Sequence, residues 1–368
     1  MDVKDKNAHS SDGYCHGGDP SKDLTRFGLP KRTVIDFSTS LNPLGIPQII
    51  KDHWSELIET VRDYPTIDGD GISDFYMDRF GIPPGNILAG NGSTEVIYLL
   101  SRVLQPGRVI IFTPSFHDYH RASVLVGADV VRILLSDKNG FSSINAGILA
   151  DACKCVDAVW IGRPNNPTGT LLPREILINL ACRFPDKWFI IDEAFIQFTD
   201  NWKEESFIFG ERPPNMIIIH SLTKYYALAG LRMGCVIGHK DLISRIRASK
   251  EPWTINGVAD RVALLLRECA EYESKTRIFI SRERNRIRKK LEGIEGIKPF
   301  PSSTNFILCR WKRTGELDDL LNHLLKNGIY VRDCRNFPGL EDNYFRIGLR
   351  NSGENDQLIS LISSYPRA

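Results

Sequence analysis

The sequence predicts an α/β protein in two parts: a large domain built on a mostly parallel sheet, followed by a smaller α+β domain. Three observations predict it. Strand-like apolar runs alternate with helical patterns from Ile46 to about Trp253, the arrangement of βαβ units. A long helical pattern then runs from Gly257 to Gly293, and strands and a helix alternate again over the remainder. The chain of 368 residues is also long enough for two cores. The expected organisation is an N-terminal arm (1–45) packing on the small domain and active site, a large domain (46–256) and a small domain (257–368).

The arm comes first. Tyr14-Cys-His-Gly-Gly-Asp-Pro20 puts His16 beside two glycines and a proline, so it reads as loop, free to wave in solvent or to fold over a site. Val34–Ser38 reads as a short strand and Asn42-Pro-Leu-Gly45 as a turn. In the large domain, the strand Arg108–Thr113 precedes a helix from Phe116 to Val126 and a strand from Asp129 to Leu135. Val156–Ile161 precedes a helix from Pro173 to Phe184, where the proline suits a first turn. The apolar runs Lys187–Ile191, Met216–His220 and Met233–Ile237 are further strands. In the small domain, Asn305–Cys309, Ile329–Arg332 and Tyr344–Gly348 read as strands. Glu316–Lys326 reads as a helix with Gly328 just past its end. The basic stretch Arg282 to Lys290 is interleaved with Glu283 and followed by Glu292, so it reads as a solvated helix face rather than a nucleic-acid site.

Composition excludes several classes. Hydrophobic content of 42% and charged content of 25% are ordinary for a soluble globular chain, and a net charge of +2 gives no reason to expect nucleic acid or membrane partners. Of eight cysteines only Cys153 and Cys155 are close, with a spacing that fits neither a zinc ribbon nor a redox pair; reduced thiols are expected. The polar first 19 residues lack the apolar segment of a secretory signal, and no apolar run is long enough to span a bilayer. A soluble, cytoplasmic protein is expected.

Chemistry should collect at strand ends. Past the strand Met216–His220 stands Ser221-Leu-Thr-Lys-Tyr-Tyr-Ala-Leu-Ala-Gly-Leu-Arg-Met-Gly234. One lysine suits covalent carbonyl chemistry, and Ser221, Thr223 and Arg232 are groups a phosphate monoester wants nearby. Lysine plus phosphate cradle suggests pyridoxal phosphate. Ala89-Gly-Asn-Gly-Ser-Thr-Glu95 opens a helix whose N-terminus offers N–H groups to an anion, although the dinucleotide fingerprint is absent. Asp192 ends a buried strand, where a carboxylate needs a cation or donor; a protonated pyridine nitrogen is one. Arg332 and Arg346 lie on or beside apolar strands and need anionic partners, which a doubly anionic substrate or a structural ion pair would supply.

Taken together, Asn-Gly-Ser-Thr-Glu, Pro164-Asn-Asn-Pro-Thr-Gly169, Asp192-Glu-Ala-Phe195, Ser-Leu-Thr-Lys and Gly-Leu-Arg-Met-Gly resemble the fold-type I pyridoxal-phosphate enzymes, in the family's order. The resemblance implies Lys224 as the lysine that forms the imine, Asp192 on the pyridine nitrogen, Asn166 on the ring hydroxyl and Phe116 on the ring face. It also implies Gly92, Ser93, Thr94, Ser221, Thr223 and Arg232 around the cofactor phosphate, and a homodimer in which Tyr64 reaches the neighbouring cofactor. Phe195 departs from the aminotransferase pattern, where a tyrosine often bonds the ring oxygen. Within the family, His16-Gly-Gly18, Asp36-Phe-Ser, Asn42-Pro-Leu-Gly45, Pro252-Trp and Arg332 followed by Asn336-Phe-Pro-Gly-Leu340 and Tyr344-Phe-Arg346 are similar to the threonine-phosphate decarboxylases of cobalamin biosynthesis. That likeness implies a phosphorylated amino-acid substrate held by His16, Asn42, Arg332 and Arg346. The related histidinol-phosphate aminotransferases are the alternative.

Overall fold

The computed structural model describes residues 17–312 and 316–365. Its strands are β1 (Ile35–Asp36), β2 (Ile87–Asn91), β3 (Arg108–Thr113), β4 (Asp129–Leu134), β5 (Ala158–Gly162), β6 (Trp188–Asp192), β7 (Met216–Ser221), β8 (Met233–Ile237), β9 (Ile297–Pro299), β10 (Phe306–Trp311), β11 (Ile329–Tyr330), β12 (Arg332–Asp333) and β13 (Tyr344–Gly348). Seven of them form one sheet in the order β2-β8-β7-β6-β5-β3-β4. Only β8 runs antiparallel to its neighbours there. The fold is α/β, as the alternating runs predict.

The central strands are apolar without a break because both faces are covered. Along β7, Met216 and Ile218 face one core cluster while Ile217 and Ile219 face the other. Each such side chain contributes about 1.5–3 kcal/mol through burial. The consequence for function is geometric. The carboxyl ends of β5, β6 and β7 all point one way, and the loops carrying Asn166, Asp192 and Lys224 emerge side by side.

A second, antiparallel sheet has the order β12-β13-β10-β9. The segment Ile329–Arg332, expected as one strand, divides between two partners. Ile329 and Tyr330 pair with β1 in parallel, whereas Arg332 and Asp333 pair with β13. The N-terminal segment therefore crosses the C-terminal sheet. Gly348 permits this crossing: a Cβ there would lie 2.1 Å from the Thr39 carbonyl oxygen.

Three further expectations are corrected. The segment before residue 45 is not wholly irregular, because Ser21–Arg26 is helical and buries Leu24 against Leu325 and Tyr330. The pattern from Gly257 to Gly293 is two helices, Gly257–Leu265 and Ala270–Glu292, separated by a 3-10 turn where Leu266 and Cys269 are buried. The basic stretch is not simply a solvated face. Arg284 is 4% exposed and donates to Asp200 at 2.6 Å, while Arg286 and Lys290 both reach Asp356 at 2.6 Å. Among the described residues, no helix is long and apolar enough to cross a membrane, and seven cysteines are free thiols.

Candidate active site

Lys224 stands three residues beyond β7, half-buried, with Nζ 3.4 Å from Ser221 Oγ and 5.8 Å from the centre of the Phe195 ring. It shares a cavity of about 80 Å³ with Ser93, Thr94, Phe116, Asn166 and Asp192. Burial pushes the Lys224 amine down to about 8; Asp192 opposes that shift and Arg232 adds to it. Asp192 ends β6 and is 6% exposed. Burial raises its carboxyl above the usual range against the pull of Lys224 and of two donors, the Ala194 amide to Oδ1 at 2.9 Å and the Tyr119 hydroxyl to Oδ2 at 2.8 Å.

The helix Gly92–Leu104 supplies the anion-facing wall. Its first residue has a left-handed φ of +76°, and a Cβ there would sit 2.5 Å from Arg232 Nη2. Gly234 completes the cradle, since a Cβ on it would meet the Ser93 amide nitrogen at 2.4 Å. Two glycines thus bring a helix N-terminus, a serine and a guanidinium to one place, which suits a phosphate. Arg232 donates to the Ala229 carbonyl at 3.3 Å and has no ion pair among the described residues. Thr223 is turned elsewhere: its hydroxyl donates to the Met233 carbonyl at 3.1 Å and accepts from the Met233 amide at 3.3 Å. Asn165 and Asn166 divide their work. Asn165 ties its loop to the Pro114 carbonyl at 2.8 Å, while Asn166 lines the cavity.

The four-stranded sheet closes the site from the other side. Arg332 and Arg346 are direct partners across β12 and β13, each 6% exposed. Two cations directly opposite one another in a ladder repel. Arg346 donates to Asn166 Oδ1 and, at 2.8 Å, to the Ser38 carbonyl. Its Nε is buried without a hydrogen-bond partner, and it has no ion pair among the described residues. Burial pushes Arg346 down to about 10, with Arg332 adding to the shift, yet it stays protonated at neutral pH. Arg332 donates to Asn336 Oδ1 at 3.0 Å.

Three predicted residues sit apart. His16 lies outside the described residues. Tyr64 is 86% exposed, with its ring tilted against that of Trp253 at 5.3 Å. Asn42 is buried behind the lysine, donating to the Tyr225 carbonyl at 2.7 Å and Thr276 Oγ1 at 2.8 Å, while its amide donates to the Lys224 carbonyl at 3.0 Å. Tyr119 went unrecognised in the sequence, although its place one helical turn after Phe116 puts it on the same side. Ser38, Phe306 and Phe337 act through spatial contacts that sequence spacing does not reveal.

Over 352 residues the chain is 31% identical to the threonine-phosphate decarboxylase of Salmonella typhimurium, covering 95% of both. Among solved structures it is similar to the histidinol-phosphate aminotransferase from Clostridium acetobutylicum, with a TM-score of 0.82 and 30% identity over 89% of this chain and 97% of that one. It is also similar to the L-threonine-O-3-phosphate decarboxylase from Porphyromonas gingivalis, with a TM-score of 0.78 and 26% identity over 89% and 98% of the two chains. Residues 32–362 match the family described as aminotransferase class I and II, and the chain belongs to that family of pyridoxal-phosphate-dependent, fold-type I enzymes.

Proposed function

We propose that the protein decarboxylates L-threonine O-3-phosphate to (R)-1-amino-2-propanol O-2-phosphate, a step of the cobalamin nucleotide loop, with pyridoxal phosphate as cofactor. The observation that carries this reading is the pair of buried arginines facing each other across β12 and β13, one of them bonded to Asn166 of the lysine cavity, which suits a substrate with two anionic groups.

The cavity fits the cofactor. The cradle of Gly92, Ser93, Thr94 and Arg232 suits its phosphate, with Ser221 alongside; Phe116 suits the ring face, Asn166 the ring hydroxyl and Asp192 the pyridine nitrogen. Thr223 contributes by holding the turn that presents Lys224 and Arg232. When bound, pyridoxal phosphate supplies an aldehyde for the substrate amine and a sink for the electron pair released at Cα. The protein does the rest. Arg346, tied to Asn166, takes the carboxylate, and Arg332, its partner across the ladder, takes the phosphate. Together they would fix the orientation of the substrate at Cα so that the carboxylate, rather than the α-hydrogen, is the group that leaves. Lys224, an amine near neutrality in its affinity for protons, delivers the proton that replaces carbon dioxide at Cα. Asn42, committed to Tyr225, Thr276 and the Lys224 carbonyl, holds the lysine segment from behind instead of touching substrate, and His16 would supply a substrate contact from the arm. Exposed Tyr64 reaches the partner's cofactor in a homodimer.

The relatives named above include both decarboxylases and aminotransferases, so the reaction must be tested directly. Incubating the loaded enzyme with O-phospho-L-threonine and no keto acid should release carbon dioxide and retain the cofactor aldehyde. Stoichiometric conversion to pyridoxamine phosphate without carbon dioxide would instead establish a histidinol-phosphate-type aminotransferase. O-phospho-L-serine, giving ethanolamine phosphate, belongs in the same assay, because one methyl group is worth only about 1–3 kcal/mol in a pocket.

A further inference from the structure

We propose that Phe337 is a specificity-determining positioning residue: by seating both the Arg332 guanidinium and the His117 imidazole on its ring, it aims Arg332 at the distal phosphate and so sets the preference for phosphorylated over unphosphorylated amino acids. The inference rests on the function proposed above.

Phe337 is 3% exposed and lies between the two halves of the site. Its ring centre is 4.3 Å from that of His117, with the planes 28° apart, and 5.3 Å from Arg332 Cζ. His117 opens the helix that follows Phe116, which lines the lysine cavity. Arg332 belongs to the other sheet. Phe337 is therefore the ring through which an arginine on β12 is referenced to the wall of the cofactor cavity. Its loop is held in shape independently of any ligand. The Phe337 amide donates to the Cys334 carbonyl at 3.0 Å, the Leu340 amide to the Phe337 carbonyl at 2.9 Å, and the Gly339 amide to Glu341 at 2.7 Å. A Cβ on Gly339 would touch Pro114 and Leu134 at 3.7 Å, so the loop already rests on the seven-stranded side. Asn336, in the same loop, accepts from Arg332 Nη2.

Arg346 is held differently. It lies 4.9 Å from the Phe306 ring, within its own sheet, and donates to Ser38 and Asn166. Removing Phe337 should therefore disturb the phosphate end of the substrate and spare the carboxylate end. A guanidinium lying on an aromatic face is attracted by the ring and restricted in direction, and leucine supplies neither effect.

The test uses the loaded enzyme, its Phe337→Leu and Phe337→Tyr variants, and two amino acids, O-phospho-L-threonine and L-threonine. Binding is read from the change in cofactor absorbance on titration, and turnover from carbon dioxide release. Phe337→Leu should raise KM and Kd for O-phospho-L-threonine about tenfold, with a far smaller fall in kcat, and move the Kd for L-threonine less than twofold; Phe337→Tyr should restore the wild-type ratio. Equal weakening of both amino acids, or no change in either, overturns the inference while the proposed function stands. A wild-type enzyme that binds the two amino acids equally removes the proposed function and this inference with it.

Discussion

The two halves of the site are built on opposite electrostatic plans. On the seven-stranded sheet the buried carboxylate has its answer within the protein: Asp192 accepts from Tyr119 and Ala194, and its charge opposes the downward push that burial exerts on Lys224. On the four-stranded sheet two arginines face each other, and Arg346 has a buried Nε with no acceptor among the described residues. The first half is organised before any substrate arrives. The second sets two buried guanidiniums side by side, which is the feature the proposed anionic substrate would use. For the proposed reaction this difference assigns chemistry to one sheet and recognition to the other. Changes on the first should alter the rate with any substrate, and changes on the second should alter which substrate is accepted.

The sharpest break of the first half is Lys224→Ala. Activity should fall by at least about 10³-fold with every substrate, and borohydride should no longer trap pyridoxal phosphate on the protein. In the wild type, capture of added aldehyde by the cofactor-free protein requires the neutral amine. Because burial pushes Lys224 down to about 8, capture should rise through about pH 8. A midpoint near the ordinary lysine value would mean that the amine is solvated, and the preorganised half would lose its main support.

Arg346→Met tests the second half. It removes a charged double donor, worth about 1.5–3 kcal/mol per hydrogen bond, so kcat/KM for O-phospho-L-threonine should drop about 10²-fold or more. Spectral loading with pyridoxal phosphate should survive, because the cradle of Gly92, Ser93 and Arg232 belongs to the other sheet. The electrostatic contrast has its own readout. O-Phospho-L-threonine should raise the thermal midpoint of the wild type by mass action and leave that of the variant nearly unmoved. Equal stabilisation of both proteins would mean that Arg346 takes no part in binding the anion.

The same division governs how much could be read from the sequence. On the seven-stranded sheet the strands are local apolar runs, and each functional side chain sits in a short segment at a strand end, so Lys224, Asp192 and Asn166 could be picked out in one dimension. The four-stranded sheet is made by distant pairings. Ile329–Arg332 divides between β1 and β13 because two remote segments claim its halves, and nothing within the segment announces it. The helix Ser352–Ser363, capped by the Asn351 side chain, also went unread. So did the buried setting of Arg284, because an interleaved charge pattern looks the same whether the partner is water or Asp200. Thr223 shows the limit from the other direction. A hydroxyl at the right place in a motif can still be committed to the backbone of the neighbouring strand.

The mildest test is Tyr119→Phe, which keeps the ring stacked on Trp160 at 5.3 Å and deletes only the donor to Asp192. Leaving a buried carboxylate one donor short costs about 1–3 kcal/mol. Burial already raises the Asp192 carboxyl above its unfolded value, so its ionisation is a charge the fold carries at neutral pH, and loss of Tyr119 raises it further. The cofactor-free variant should therefore melt below the wild type at neutral pH. The gap should narrow as the pH falls through the raised carboxyl value, because a protonated Asp192 no longer needs the donor. Melting curves of the two proteins across that range decide it: a gap that stays constant with pH would assign Tyr119 to packing alone, and the first half of the site would then depend on Ala194 for holding its carboxylate.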